Sequence, residues 1–453
     1  MKSRILTYFT TMTLFGALAM PIQLAAQDQQ GHQKKQTHYL VKDLGTLGGT
    51  GAVAEGISDS GWVVGSSNLA GDQSGHAYLW RNGVMNDLGT LGGLNSQEQW
   101  PVKDNRGLIV GSAETSAMDP FTEDFCGFDA NAGFPPTGLI CRGFLWHDGV
   151  MTALPTLGGN NAQALGVNNR GQVVGLAETS TQDANCAAPQ VFDIEAALWG
   201  PRAGEIHELP PLPGDASSWA TGINDREQVV GLSGNCVSPN FNAPGATVPQ
   251  HGVIWENGIV ANLGNLGGTT TFPWAINSKG QVVGQATLAD DVTLHTFFWQ
   301  EGILTDLGVL PSDLISGAFG LNDRGQVVGG SCDQNFNCRA FLWQNGVMID
   351  LNTLVKAGST PLHLVFGNDI NSQGKIAAFA FDQSNGEFRA AVAIPCDEEP
   401  ASHEACADGA EGADAALGET SEHSKVSLPE SIRKQLRGRR GFARFADGLT
   451  TSR

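Results

Sequence analysis

Basic residues are scarce in this chain: 26 Lys+Arg stand against 46 Asp+Glu, for a net charge of -20. Binding to nucleic acid needs a basic face, so that class is excluded. After the N-terminal two dozen residues, no run approaches the about 20 apolar residues of a membrane-spanning helix. No C-x-x-C pair occurs, which leaves zinc and thiol-redox readings without support. No D-x-[DN]-x-[DN]-G loop is present for calcium. The Gly-rich segments are not followed by Lys-Ser/Thr and a helix, so they do not read as phosphate cradles. His147, His207, His251, His295 and His363 lack metal-ligand spacing. No cofactor is expected.

What the chain has in excess is glycine, 59 residues without a G-X-Y period. That level points to many tight turns rather than to collagen or long helices. The first residues read as an export signal, residues 1–26: Lys2 and Arg4, an apolar run from Ile5 to Met20, then Ala25 and Ala26 before Gln27. An uncleaved anchor is the alternative. Eight Cys, an even number, in an exported chain favour disulfides. Cys332 and Cys338 are close enough to staple one loop, and Cys126 and Cys141 a longer one. Cys396 and Cys406 flank an acidic stretch, and Cys186 and Cys236 would join neighbouring repeats. Spacing alone does not fix the connectivity, so other pairings stay open.

Three blocks recur in fixed order. Asp43-Leu-Gly-Thr-Leu-Gly-Gly49 returns at Asp87–Gly93 and, altered, at Leu154–Gly159, Leu263–Gly268 and Leu307–Leu310. Gly166-Val-Asn-Asn-Arg-Gly-Gln-Val-Val-Gly175 has copies ending at Gly65, Gly111, Gly231, Gly284, Gly329 and Ala378. The third block ends in Trp80, Trp146, Trp199, Trp255, Trp299 and Trp343; the seventh copy lacks the Trp. Each unit holds four short β-type runs. Asn-x-x-Gly and Trp-x-x-Gly between them are hairpin signals. Four antiparallel strands repeated seven times predict an all-β, seven-bladed β-propeller over residues 38–395. An isolated strand at Tyr39–Leu44 would complete a last blade that has only three strands of its own, removing an open edge. An open solenoid is the rival architecture. The six Trp are expected to pack between blades as structural residues.

His76-Ala-Tyr-Leu-Trp80, Asp87-Leu-Gly-Thr-Leu-Gly-Gly93 and Gly320-Leu-Asn-Asp-Arg-Gly-Gln-Val-Val-Gly329 resemble the bacterial extracellular HAF-repeat family, over about residues 38 to 395. The resemblance implies secretion and a repeat fold, and carries no reaction or catalytic residues. The chain departs from the pattern at Glu227, in place of the turn Gly, and in the seventh unit.

In a meander, the loops between strands two and three share a face with the linkers between units. They are long only in three successive units: Ser112–Cys141, Leu176–Glu195 and Leu232–Gln250. They carry Phe121, Phe125, Phe128, Phe134, Phe192 and Phe241, with several acids and four Cys. Long loops in a compact domain are functional or are neutral insertions. The functional expectation is a patch binding an extracellular protein or a glycan. A second candidate is the central channel, where Glu55, Pro101, Leu165, Thr221, Trp274, Phe319 and Asn368 vary at one repeat position. Asp43, Asp87, Asp306 and Asp350 end fourth strands in separate units and are repeat features rather than a catalytic pair. The rest of the chain, 396–453, is acidic and then basic and is expected to be disordered. These features read as a secreted, extracellular or periplasmic, monomeric binding or scaffold module. The alternative is a carbohydrate-active enzyme with a pocket on the long-loop face, which two carboxylates at the channel mouth would favour.

Overall fold

The Ile-Asn-x-x-Gly segments each form a hairpin tip, and the asparagine is why. In the computed structural model, Asn322 Oδ1 accepts from the backbone N–H of Arg324 and Gln326 at 3.0 and 3.1 Å. Gly325 follows at φ +77°, a left-handed conformation that costs glycine nothing. In the fourth unit Glu227 takes that position at φ +62°. The residues described are 37–98, 106–123, 125–128, 137–202, 204–237, 239, 250–396, 426–430, 432–433 and 436. The export-signal expectation, Pro101, Phe134, Phe241 and Cys406 fall outside them.

Among the described residues every named element but one 3-10 turn is a β-strand. The chain opens with β1 (Tyr39–Asp43). The first unit is β2 (Gly48–Ile57), β3 (Val63–Leu69), β4 (Gly75–Arg81) and β5 (Val84–Asp87). The second is β6 (Gly92–Gln97), β7 (Ile109–Met118), β8 (Leu139–His147) and β9 (Val150–Ala153). The third is β10 (Gly158–Val167), β11 (Val173–Gln182), β12 (Phe192–Trp199) and β13 (Ile206–Leu209). The fourth is β14 (Ser217–Ile223), β15 (Val229–Gly234), β16 (Gln250–Glu256) and β17 (Ile259–Asn262). The fifth is β18 (Gly267–Ile276), β19 (Val282–Leu288), β20 (Leu294–Gln300) and β21 (Ile303–Gly308). The sixth is β22 (Ile315–Leu321), β23 (Val327–Cys332), β24 (Cys338–Gln344) and β25 (Val347–Asp350). Last come β26 (Leu362–Ile370), β27 (Ile376–Asp382) and β28 (Phe388–Pro395).

These strands form five four-stranded antiparallel sheets and one eight-stranded sheet. The larger sheet is two antiparallel meanders joined by a single parallel pair, Gln250–Thr270. β1 lies antiparallel on β28, with Leu40 opposite Ile394. Inner strands slip register where they meet the Val-Val-Gly strand, for example between Ala318 and Gly320, and β2, β10, β18 and β26 do so twice. At that bulge a Cβ on Gly329 would collide with the Gly317 carbonyl, so the glycine answers a close approach of two strands and not a turn.

Units are tied to one another near their inner ends. Asn168 Nδ2 donates to Asn224 O at 3.1 Å, Asn224 to Asn277 O at 3.0 Å and Asn277 to Asn322 O at 3.2 Å. The relay continues from Asn322 to Asn371 O at 2.9 Å and from Asn371 to Ser58 O at 3.0 Å, back in the first unit. Further out, apolar clusters bridge neighbouring sheets. Trp80, Trp255, Trp299 and Trp343 each pack in a cluster drawn from their own unit and the one before it, whereas Trp146 and Trp199 share one cluster that runs through the first three units; Trp343 stacks on Phe298 at 6.0 Å. Trp80 packs with Ala377, Ala390 and Val392 of the final sheet.

Candidate functional site

The three long loops meet, and polar side chains bind them together. Gln163 Nε2, on β10, donates to Phe125 O at 2.5 Å, and Gln97, on β6, to Cys126 O at 2.6 Å. Disulfides join Cys126 to Cys141 and Cys186 to Cys236. Across the second and third loops, Val191 N donates to Glu123 Oε1 at 2.8 Å. Between the third and fourth, Ala187 N donates to Cys236 O at 3.0 Å. A third disulfide, Cys332–Cys338, closes the short loop of the sixth unit, and Cys396 is disulfide-bonded as well.

This order redistributes the expected aromatic patch. Phe125 and Phe128 are 1% and 2% exposed and belong to the central apolar cluster, so they are not ligand contacts. The loop turns inward there because its main-chain carbonyls are captured by the two glutamines. Phe121 stays 38% exposed and stands edge-on to half-buried Phe192, centroids 5.2 Å apart. Of the six phenylalanines, these two are the described ones that reach the surface.

Beside them lie carboxylates that composition gave no means to single out. Glu123 and Glu178 are both fully buried. Desolvation and the neighbouring Glu178 push the Glu123 carboxyl up to about 8, against backbone N–H bonds from Val191 and Phe192. The Asn161 amide nitrogen sits among Asp119 Oδ2, Glu123 Oε2 and Glu178 Oε1, at 3.2, 3.3 and 3.2 Å. An amide group, not a cation-sized gap, thus occupies the middle of this cluster. Another group of acids surrounds β12. Burial raises Glu195 to about 8, with Asp193 and Glu208 adding to the effect against a bond from Ser218. Asp193 is raised to about 6, again chiefly by burial. The described metal-like grouping, Cys186, Asp193 and Cys236, has both sulfurs already joined to each other.

Glu195 breaks a rule kept in most other units. His76 pairs with Asp87 at 2.8 Å, His295 with Asp306 at 2.9 Å and Arg339 with Asp350 at 2.9 Å. Arg389 pairs with Asp43 of β1 at 3.4 Å. In each case a basic residue opening the third strand clips the acid ending a fourth-type strand. Burial opposes ionisation of Asp87 and Asp306, yet the histidine and a backbone N–H hold both below the ordinary range. The repeated Asp residues are therefore structural clips. In the fourth unit His251 turns to Asp215 at 2.9 Å, and Ser233 Oγ reaches the same carboxylate oxygen at 2.6 Å. Here the carboxylate stands between Ser and His, so nothing links hydroxyl to imidazole as nucleophilic activation requires.

The inner-strand position that varies between units is buried. Leu165, Thr221, Trp274, Phe319 and Asn368 are at most 5% exposed, and Glu55 is 4% exposed. Trp274 stacks on Phe272 at 4.4 Å and meets Phe319 edge-on, which in turn meets Phe366. At the loop end, Phe125, Phe128 and Phe336 join this cluster together with Leu428, Ile432 and Leu436. The tail is thus not unstructured throughout, as its composition suggested: Leu428 N donates to Asn337 Oδ1 at 3.0 Å, and Arg433 N to Pro429 O at 3.0 Å. Its apolar residues recur every four positions, a helical stripe that the flanking charge obscured. Glu55 and Glu98 both face Tyr78, whose hydroxyl burial and their charges push well up. Those two carboxylates are buried in the wall, not presented at a mouth. At the opposite end a depression of about 140 Å³ is lined by the Ile-Asn-x turns themselves, including Asp59, Asp225 and Asp323. Each of these acids accepts a backbone N–H from the preceding unit, as Asp323 does from Ser278 at 3.0 Å.

No described helix is long and apolar enough to cross a membrane. No family model matches the chain, and no curated protein matches it. Among solved structures it is similar to the Pyrococcus horikoshii acylaminoacyl peptidase, with TM-score 0.41 and 12% identity over 75% of this chain and 52% of that one. It is similar to a puromycin hydrolase, with TM-score 0.41 and 13% identity over 76% and 51%. It is also similar to TolB from Acinetobacter baumannii, with TM-score 0.35 and 11% identity over 78% and 65%. The chain spans about half the length of the first two.

Proposed function

We propose that this chain is an exported, seven-bladed propeller of the HAF-repeat type whose long-loop face binds an extracellular protein or glycan. The seven-blade reading is supported by the division of the strands into fours, with β1 as the fourth of the last group. Closure is supported by the asparagine relay returning to Ser58 and by the cluster linking Trp80 to Ala390. Three disulfides suit an oxidising compartment.

The observation that carries the binding role is the cross-tying of three neighbouring loops that the repeat does not need. Two disulfides and the Glu123 bonds hold them in one arrangement. Pre-ordering of this kind lowers the entropy lost on binding. The exposed edge of this platform is Phe121 against Phe192, with acids around Asp193 nearby, a pairing of apolar face and hydrogen-bond acceptors suited to a glycan. A glycan array and a pull-down with the mature protein test this. Phe121→Ala should lower capture about tenfold, the loss expected for a truncated aromatic anchor. Capture unchanged in Phe121→Ala and Phe192→Ala together would rule this surface out.

The enzyme reading draws on a different observation. Asp193 and Glu195 are two residues apart on β12, so they share a face, and both are raised. A carboxyl kept protonated near neutrality can serve as a general acid. Glycan hydrolysis that disappears in Glu195→Gln would favour this reading over simple binding.

A further inference from the structure

A cavity of about 280 Å³ opens at the seam between the fourth and fifth units, near the small end of the ~300–1,000 Å³ range of small-molecule sites. Its walls include Gln250, His251, Asn262, Asn265, Thr269 and Thr271. The two sheets are hydrogen-bonded here at Gln250–Thr270, which fixes one wall against the other.

The cavity arises where the fourth unit departs from the repeat. The position occupied by Asp87, Asp306 and Asp350 in other units is Asn262 here, opposite Val253 as Asp87 is opposite Tyr78. With no acid to clip, His251 turns to Asp215. In the tautomer that donates Nδ1–H to Asp215, the His251 ring carries its acceptor lone pair on Nε2. Asn262 Oδ1 accepts from Gly264 N at 2.7 Å, and Asn265 Oδ1 from Gly267 N at 2.9 Å. Each amide is thereby oriented, and neither Nδ2 has a protein partner among the described residues. The cavity offers two fixed N–H donors, one imidazole acceptor and the Thr269 hydroxyl. Among the described residues its lining has no cation to hold phosphate or carboxylate, and a single imidazole without a lining carboxylate is too little for a metal.

We propose that this seam binds a small neutral polyhydroxyl molecule, a single sugar ring or a polyol, through His251, Asn262, Asn265 and Thr269. Adjacent hydroxyls both donate and accept, which matches a mixed set of fixed donors and one acceptor. The site is independent of the Phe121–Phe192 surface and stands if that surface fails.

Saturation-transfer NMR on the mature protein tests it, with methyl α-glucopyranoside and myo-inositol as probes and glucose 6-phosphate as the charged control. Transfer to one or both neutral probes is expected, and weaker transfer to the phosphate. His251→Ala or Asn265→Ala should weaken binding about tenfold, as loss of one good hydrogen bond does. Asn262→Asp rebuilds the acid of the other units, draws His251 away from Asp215 and should abolish the signal in a fully folded protein. Phe121→Ala should leave it unchanged. No transfer from the wild-type protein to either neutral probe overturns the proposal. So does full binding in Asn262→Asp, or a loss confined to Phe121→Ala.

Discussion

At the scale of single residues, the same repeat position does opposite things in different units. Where His76, His295, Arg339 and Arg389 open the third strand, an acid across from them is neutralised. Glu195 holds that position in the third unit, facing Asp193 and Glu208, and burial leaves it protonated up to about 8. Glu123 behaves alike. Both keep a proton in the folded chain at pH values where the unfolded chain, with an ordinary glutamate near 4.5, has lost it. Folding therefore takes up protons across that window, and stability falls as pH rises from about 4.5 to about 8, then levels. The thermal midpoint should drop by a few degrees over that range. Glu195→Gln, which mimics the protonated form, should flatten part of the slope. A wild-type midpoint that is flat or rising there contradicts the assignment.

Elements owe their placement to what the turns capture. The Thr of the Gly-Thr-Leu-Gly-Gly linkers bonds three residues ahead, as Thr46 does to Gly49 O at 2.9 Å, which shapes the crossing from one sheet to the next. Outer strands such as β5, β9, β17 and β25 are four residues long, short enough to be poor templates for edge pairing. The disulfides constrain loops of very different span: 50 residues for Cys186–Cys236, 15 for Cys126–Cys141 and 6 for Cys332–Cys338. Loop-closure entropy then ranks them at about 4, 3 and 2 kcal/mol. Paired Cys→Ser variants should lose stability in that order in denaturant melts. The reverse order would mean that local packing, not chain entropy, sets their worth.

For the whole molecule, the last sheet depends on the first strand. β28 has Ala391 and Ala393 buried beneath β1, and Leu44 N reaches Ala390 O at 2.9 Å. Removing residues through Asp43 strips that cover, breaks the Arg389 clip and bares a long apolar edge. Such a variant is expected to run as oligomers or aggregate on size-exclusion chromatography. A well-behaved monomer with an unchanged melt would argue that the final sheet stands without β1.

The chain by itself determined the strands and their grouping. Each unit repeats the same short-range chemistry, Asn and Gly at the hairpin tips and β-branched runs between, and local rules suffice to read that. Tertiary structure decided the rest. That Phe125 turns inward while Phe121 faces out depends on Gln97 and Gln163, residues of other strands. Glu123 and Glu195 are raised chiefly by burial, with Glu178, 55 residues from Glu123, and Glu208, 13 residues from Glu195, adding to it, and only the tertiary fold creates those surroundings. The seam cavity required knowing that Asn262 leaves His251 without its usual acid. Burial, charge proximity and unfilled hydrogen bonds are properties of space between units, and a repeat pattern specifies the units.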